Sequence, residues 1–193
     1  MMSEEYLKRL ESKSKNFVKQ EKVEDVVIYG SAVKGKENPN DVDVVLIFEG
    51  IELKERLRIA QKFKEAVKGI IKNVHVETAN LKDLFDKSYF ARQGIINEGI
   101  SLIRGESLAK RLGFIGYSLF AYHLKNLDHN QKTRFIYALT GRGNNKGIID
   151  VTKAQHIGKG ALLVPIENSI IFEDFLKAWK INYNKKQALI SEI

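Results

Sequence analysis

The sequence predicts an α+β fold: a small mixed sheet flanked by helices, followed by a second small α+β domain. Two observations carry this expectation. Short β-branched runs alternate with amphipathic segments of helical length through the first half of the chain. The charge balance then changes: residues 1–105 carry 19 basic and 17 acidic side chains, whereas residues 106–193 carry 13 and 7. A boundary falls in "RGESLAKRLGFIGYS", giving domains at 1–110 and 111–193. With 193 residues and 44% hydrophobic side chains, the chain has enough apolar surface for real cores.

Taken in order, residues 4 to 20 place Tyr6, Leu7, Leu10, Phe17 and Val18 near one helical face. "VEDVVIY" (23–29) is a β-branched strand, and "DVDVVLIF" (41–48) is a second, apolar enough to be central in its sheet. From Leu53 the period is helical, with Leu57, Ala60, Phe63 and Val67 on one stripe ended by Lys68-Gly69. "NVHVETA" (73–79) alternates as a third strand, "LKDLFDKSYFARQGII" reads as a helix, and "GISLIRG" as a short extended piece. Beyond the boundary, "GYSLFAYHLKNL" and "NQKTRFIYALTGRG" read as two helices and "GRGNNKG" as a turn or loop. "ALLVPI" reads as a strand, "SIIFEDFLKAW" as a helix and "KINYNKKQALI" as a closing strand.

Several function classes are excluded by composition. There is no cysteine, so disulfides and thiolate metal sites are impossible. The start "MMSEEYLKRLESKSK" lacks a signal-peptide pattern, and no window approaches a membrane span, so a cytoplasmic protein with no membrane partner is expected. The net charge of +8 is concentrated in 123–165, where Lys125, Lys132, Arg134, Arg142, Lys146, Lys153 and Lys159 face only Asp128 and Asp150. Such a field suits RNA, DNA or nucleotide phosphates, and equally a solvated lysine-rich surface.

The chemistry concentrates in "VVIYGSAVKGKENPNDVDVVLIF" (26–48). A strand, then Gly30-Ser31, then a turn of helix leaves backbone N–H groups free to bind an anion. Glycine at 30 allows a phosphate to approach the backbone, the Ser31 hydroxyl adds a donor, and Lys34 and Lys36 lie within reach. Asp41 and Asp43, at i and i+2 on a strand, project from one face, and two oxygen ligands of this kind suit Mg²⁺ beside substrate phosphates. Glu77, on the same face of its strand as His75, is the natural third carboxylate. Three carboxylates would hold two metal ions, one activating an attacking hydroxyl and one steadying a leaving pyrophosphate. The plainer alternatives are that Asp41 ends the Asn-Pro-Asn turn, Asp43 is a protective edge charge, and Glu77 is a surface glutamate.

Gly30-Ser31, Gly35 and Asp41-Val42-Asp43, continued by "ETANLKDLFDKSYFARQGIINEGISLIRG", resemble the signature of the DNA polymerase beta-type nucleotidyltransferase superfamily over residues 23 to 105. The resemblance implies transfer of a nucleoside monophosphate from an NTP to an acceptor hydroxyl, with release of pyrophosphate. Gly30, Ser31, Lys34 and Gly35 would then bind the nucleotide. Asp41, Asp43 and Glu77 would bind two Mg²⁺ or Mn²⁺ ions, and Glu77 would help deprotonate the acceptor. Asn40 stands where many members carry serine. The third acidic position is Glu rather than the commoner Asp, and a shift of register would put His75 there.

Other motifs fail. "GRGNNKG" misses the dinucleotide-binding glycine pattern and follows a helix, and "HIGKG" lacks the upstream glycine and hydroxyl of a P-loop. His75, His123, His129 and His156 have no zinc-like spacing. In the second half Tyr117, Phe120, Tyr122, Phe135, Tyr137 and Trp179 are expected mainly in the core, which leaves Arg134, Arg142, Lys146 and Lys159 as candidate contacts to an acceptor or nucleic acid. The expected partners are an NTP and either RNA, another polyanion or a protein. The competing function is a non-catalytic nucleic-acid-binding or antitoxin-like regulator on the same scaffold. The three carboxylates together favour the enzyme.

Overall fold

The computed structural model describes residues 4–35 and 41–191. They divide into two compact units, one ending at Gly113 and the other starting at Phe114. The first is built from α1 (Glu4–Val18), β1 (Asp25–Tyr29), β2 (Val42–Phe48), α2 (Leu53–Val67), β3 (Val74–Asn80), α3 (Arg92–Glu98), β4 (Ile100–Ser101) and α4 (Leu108–Arg111). Its four strands lie in the order β3-β2-β1-β4. β1 runs antiparallel to β2 and β4, while β3 is parallel to β2, so the sheet is mixed. The parallel pair needs a long connection, and α2 supplies it.

Strand alternation assigns the two faces. Val26, Ile28, Val44, Leu46 and Phe48 pack with Leu10 and Phe17 of α1 and Ile59 and Phe63 of α2. Val27, Val45, Ile47 and Ala79 point the other way and meet Leu84, Ile95 and Leu108. β2 is apolar on both sides because both sides are covered. On α2 the buried stripe is Arg56, Ile59, Ala60, Phe63 and Val67. Leu57, expected on that stripe, is exposed instead, and Arg56 takes the inward position with an ion pair to Asp83 at 3.5 Å.

The run 81–96, expected to be one helix, is two. A 3-10 turn covers Leu81–Phe85 and α3 begins only at Arg92. Asp86 accepts hydrogen bonds from the Ser88 N–H and hydroxyl, each at 2.8 Å, and this local turn competes with the helix ladder.

The second unit comprises β5 (Phe114–Tyr122), α5 (His129–Thr140), the hairpin β6 (Gly141–Arg142) and β7 (Asn145–Lys146), α6 (Ile148–Thr152), β8 (Gln155–Gly158), β9 (Ala161–Pro165), α7 (Ser169–Ala178) and β10 (Tyr183–Ser191). An antiparallel sheet in the order β10-β5-β9-β8 packs against α5 and α7. Phe120, Phe135, Leu139, Leu162, Val164, Phe172 and Leu176 are buried there. Ring contacts run through this core: Phe120 to Phe172 at 5.1 Å and Phe135 to Trp179 at 5.5 Å. Glu173 of α7 accepts from Tyr183 at 2.7 Å and from Lys185 at 2.6 Å, which ties the helix to β10.

Residues 116–127, expected to be helical, contain the central strand of this sheet. β5 pairs with β10 along its full length and with β9 over five residues. Phe120 and Tyr122 face the helices, but Ile115, Leu119 and Ala121 on the other face are apolar too, so the period-2 alternation is blurred and the apolar spacing mimics a helix. Within 148–158, a segment without a strand or helix pattern of its own, α6 and β8 form.

Candidate active site

Three strands of the N-terminal sheet deliver the polar cluster. Tyr29 pairs with Asp43, Asp43 pairs with His75, and Val45 pairs with Glu77. Tyr29, Asp43, His75 and Glu77 therefore share the face that carries Val27, Val45 and Ala79 deeper in. Asp41 stands exposed just before β2. Burial ends where the charged row begins, so the carboxylates line the open end of an otherwise apolar face.

The geometry around Gly30 is tight. Its φ is +76°, and a Cβ added there would lie 2.5 Å from the Asp43 Oδ2. Both the left-handed backbone and the closeness of the carboxylate demand glycine. Ser31 follows in a 3-10 turn, Gly30–Val33. Lys34 lies within 2.7 Å of Glu98 at the end of α3, and Glu98 is buried. Its ammonium is thus ion-paired, and the pair fastens the 3-10 turn to α3. Gly35 closes the turn with a φ of +89°. Lys36 and Asn40 lie outside the described residues.

The electrostatics follow from that placement. Burial pushes the Asp43 carboxyl up from its ordinary value, and the charges of Asp41 and Glu77 add to this while His75 offsets part of it. The His75 Nδ1 stands 3.6 Å from Asp43 and 3.9 Å from Glu77. Glu77 accepts a hydrogen bond from the Tyr89 hydroxyl at 3.2 Å. Burial and then the Glu77 charge raise the hydroxyls of both Tyr29 and Tyr89, which stay protonated and able to donate. An open cleft of about 430 Å³ borders Asp41 and His75 and is lined also by Lys64, Lys68 and Lys72.

Among the described residues, no three or more His, Asp and Glu side chains are drawn together closely enough to form a metal-binding group. Asp43 and Glu77 nonetheless present carboxylates from adjacent strands, and burial first, then the like charges of Asp41 and Glu77, hold a proton more tightly on Asp43. A cation there would relieve that repulsion.

Tyr29 and Tyr89 carry no role in the sequence reading, whereas Glu98-Gly99 falls in the stretch that continues the resemblance. Tyr29 had a signal, since it shares strand parity with Val27 and so the face of Asp43. Tyr89 had none, and nothing local foretold the pairing of Glu98 with Lys34, because both contacts depend on how the chain returns across the sheet. In the second unit Phe120 and Phe135 are fully buried and Tyr117 nearly so. Tyr137 is exposed, with the Arg142 guanidinium 4.7 Å above its ring. Arg134, Lys146 and Lys159 are exposed. No helix among the described residues is long and apolar enough to cross a membrane.

Comparison with known proteins gives one family. Residues 12–105 match the model of the family described as polymerase beta, nucleotidyltransferase. No curated relative matches the chain. Solved structures that match include a toxin–antitoxin with AMP-PNP, at 21% identity over 48% of this chain and 71% of that one, with a TM-score of 0.35. A mutant of the toxin–antitoxin MntA-HpeT has 18% identity over the same shares, also with a TM-score of 0.35. A candidate nucleotidyltransferase from Sulfolobus solfataricus has 19% identity over 50% of this chain and 82% of that one, with a TM-score of 0.33.

Proposed function

We propose that the N-terminal unit transfers a nucleoside monophosphate from an NTP to an acceptor hydroxyl and releases pyrophosphate, with divalent metal held at Asp41, Asp43 and Glu77. One observation carries this reading: Asp43 is held against Gly30 so closely that only glycine fits, which couples the Gly-Ser turn to the carboxylate row.

The roles follow from chemistry. The first N–H groups of a 3-10 turn have no partner within it, and with the Ser31 hydroxyl they would hold the triphosphate. Mg²⁺ or Mn²⁺ supplies charge neutralisation on the phosphates and lowers the barrier to attack. The acceptor oxygen bonds to the α-phosphorus, the bond to the bridging oxygen of the β-phosphate breaks, and pyrophosphate leaves. The acceptor proton passes to Glu77, whose carboxylate Tyr89 orients by its hydrogen bond. Lys34 acts from behind, holding the turn through Glu98. The cleft beside Asp41 and His75 gives an acceptor room to approach.

The test is incubation with each α-labelled NTP and Mg²⁺ or Mn²⁺, with and without total RNA, beside an Asp41→Ala/Asp43→Ala control. Label moved to RNA, or to a protein, by the wild type alone supports the reading and identifies the acceptor class. Absence of transfer, together with absence of NTP binding in calorimetry, overturns it.

A further inference from the structure

The stretch 123–165 contains seven Lys and Arg side chains and two acidic ones. Both acids are already committed. Asp128 caps α5 by accepting from the Gln131 N–H at 2.8 Å, and Asp150 caps α6 by accepting from the Gly147 N–H at 3.2 Å. Among the described residues none of the seven cations joins an ion pair, and all seven are exposed. An uncompensated positive surface therefore remains where a surface salt-bridge lattice would be ordinary.

Part of that surface is organised. Arg134 and Tyr137 are one turn apart on α5, so they are neighbours on one face. Arg142, in the hairpin that follows, lays its guanidinium 4.7 Å over the Tyr137 ring. Lys146 sits on the opposite strand of that hairpin, paired with Gly141. The hairpin is fixed against the helix end: a Cβ at Gly147 would collide with the Leu139 carbonyl oxygen and the Gly141 nitrogen. An exposed aromatic ring and a flat guanidinium are thus held together, with Arg134 one turn away on α5 and Lys146 on the hairpin's second strand.

We propose that this surface binds single-stranded nucleic acid. A base stacks on the Tyr137–Arg142 pair, and Arg134 and Lys146 contact the flanking phosphates. A stacked ring and guanidinium suit an unpaired base, whose face is open, rather than a duplex, whose bases are stacked on one another. Acidic protein segments offer charge without planar faces and would not need Tyr137. The site stands independently of nucleotidyl transfer, because binding is read without turnover.

The experiment is fluorescence anisotropy of the full chain with a fluorescein-labelled oligouridine of about 16 nucleotides and its deoxythymidine counterpart, over a range of salt. Tyr137→Ala is expected to weaken binding roughly tenfold while leaving the salt slope unchanged, and Tyr137→Phe to bind as the wild type does. Arg134→Ala and Lys146→Ala are each expected to reduce the log–log salt slope by about 0.7. Preference for either oligonucleotide identifies RNA or DNA as the ligand and supports the site. The proposal fails if Tyr137→Ala, with an unchanged melting curve, binds as tightly as the wild type. It fails equally if a duplex of the same length competes as well as the single strand. A Lys180→Ala/Lys186→Ala control that loses as much affinity as Arg134→Ala/Lys146→Ala would mean diffuse attraction only, and would also overturn it.

Discussion

At Gly30 a backbone φ of +76° and a carboxylate oxygen 2.5 Å from any added Cβ act together. Gly30→Ala is expected to cost about 1–2 kcal/mol from the left-handed backbone alone, and also to push Asp43 out of line. Its melting temperature should fall and its transfer activity should drop further than the stability loss explains. Asp43 carries the opposite trade-off. Its pKa is raised in the folded protein, so folding favours the protonated form. That contribution is complete below the ordinary carboxylate value and is lost as pH rises through the folded pKa, leaving a net penalty at neutral pH. Asp43→Asn should therefore melt higher than the wild type at pH 7. Transfer should nonetheless fall at least on the order of a hundredfold, about 3 kcal/mol of barrier. A variant that is both less stable and fully active would refute this account of the residue. Gly30, Ser31, Asp41 and Asp43 were legible from their short-range pattern. Tyr89 was not, because its contact with Glu77 joins residues from separate elements.

Single elements show where local pattern misleads. β5 has the apolar density of a buried helix, and only its two antiparallel partners make it a strand. The segment 81–96 has helical composition, yet the Asp86–Ser88 turn interrupts it. α7 illustrates the reverse case, where sequence marked the helix but not its fastening. Burial alone would raise the Glu173 carboxyl, but hydrogen bonds from Lys185 and Tyr183 outweigh it and bring the pKa down to about 2. The resulting stabilisation is complete above the ordinary value of 4.5 and is lost as pH falls from there through about 2. In the wild type, acid titration followed by Trp179 fluorescence should show a transition in that window. Glu173→Gln should be less stable at pH 7 and should lose less stability on acidification, so that the two curves converge at low pH. Parallel curves would mean that the carboxylate contributes nothing to holding α7 on β10.

For the whole molecule, ligand linkage offers a measurement that does not depend on knowing the acceptor. A ligand that binds only the folded state stabilises it by about 2.7 kcal/mol at a hundred times its Kd. ATP with Mg²⁺ should raise the wild-type melting temperature by several degrees and leave Asp41→Ala/Asp43→Ala unmoved. An equal shift in both proteins would place the nucleotide away from the carboxylate row. At this scale the sequence determined the composition of each layer, the alternation of apolar faces, and the spacing of Gly30-Ser31 and Asp41-Val42-Asp43. Those are short-range properties, fixed by rotamers, backbone freedom and strand parity. The tertiary structure decided which strand lies beside which: it set Asp43 between Tyr29 and His75, paired Lys34 with Glu98, turned Arg56 inward and Leu57 out, and stacked Arg142 on Tyr137. Each of those depends on contacts between separate elements, and no local spacing encodes them.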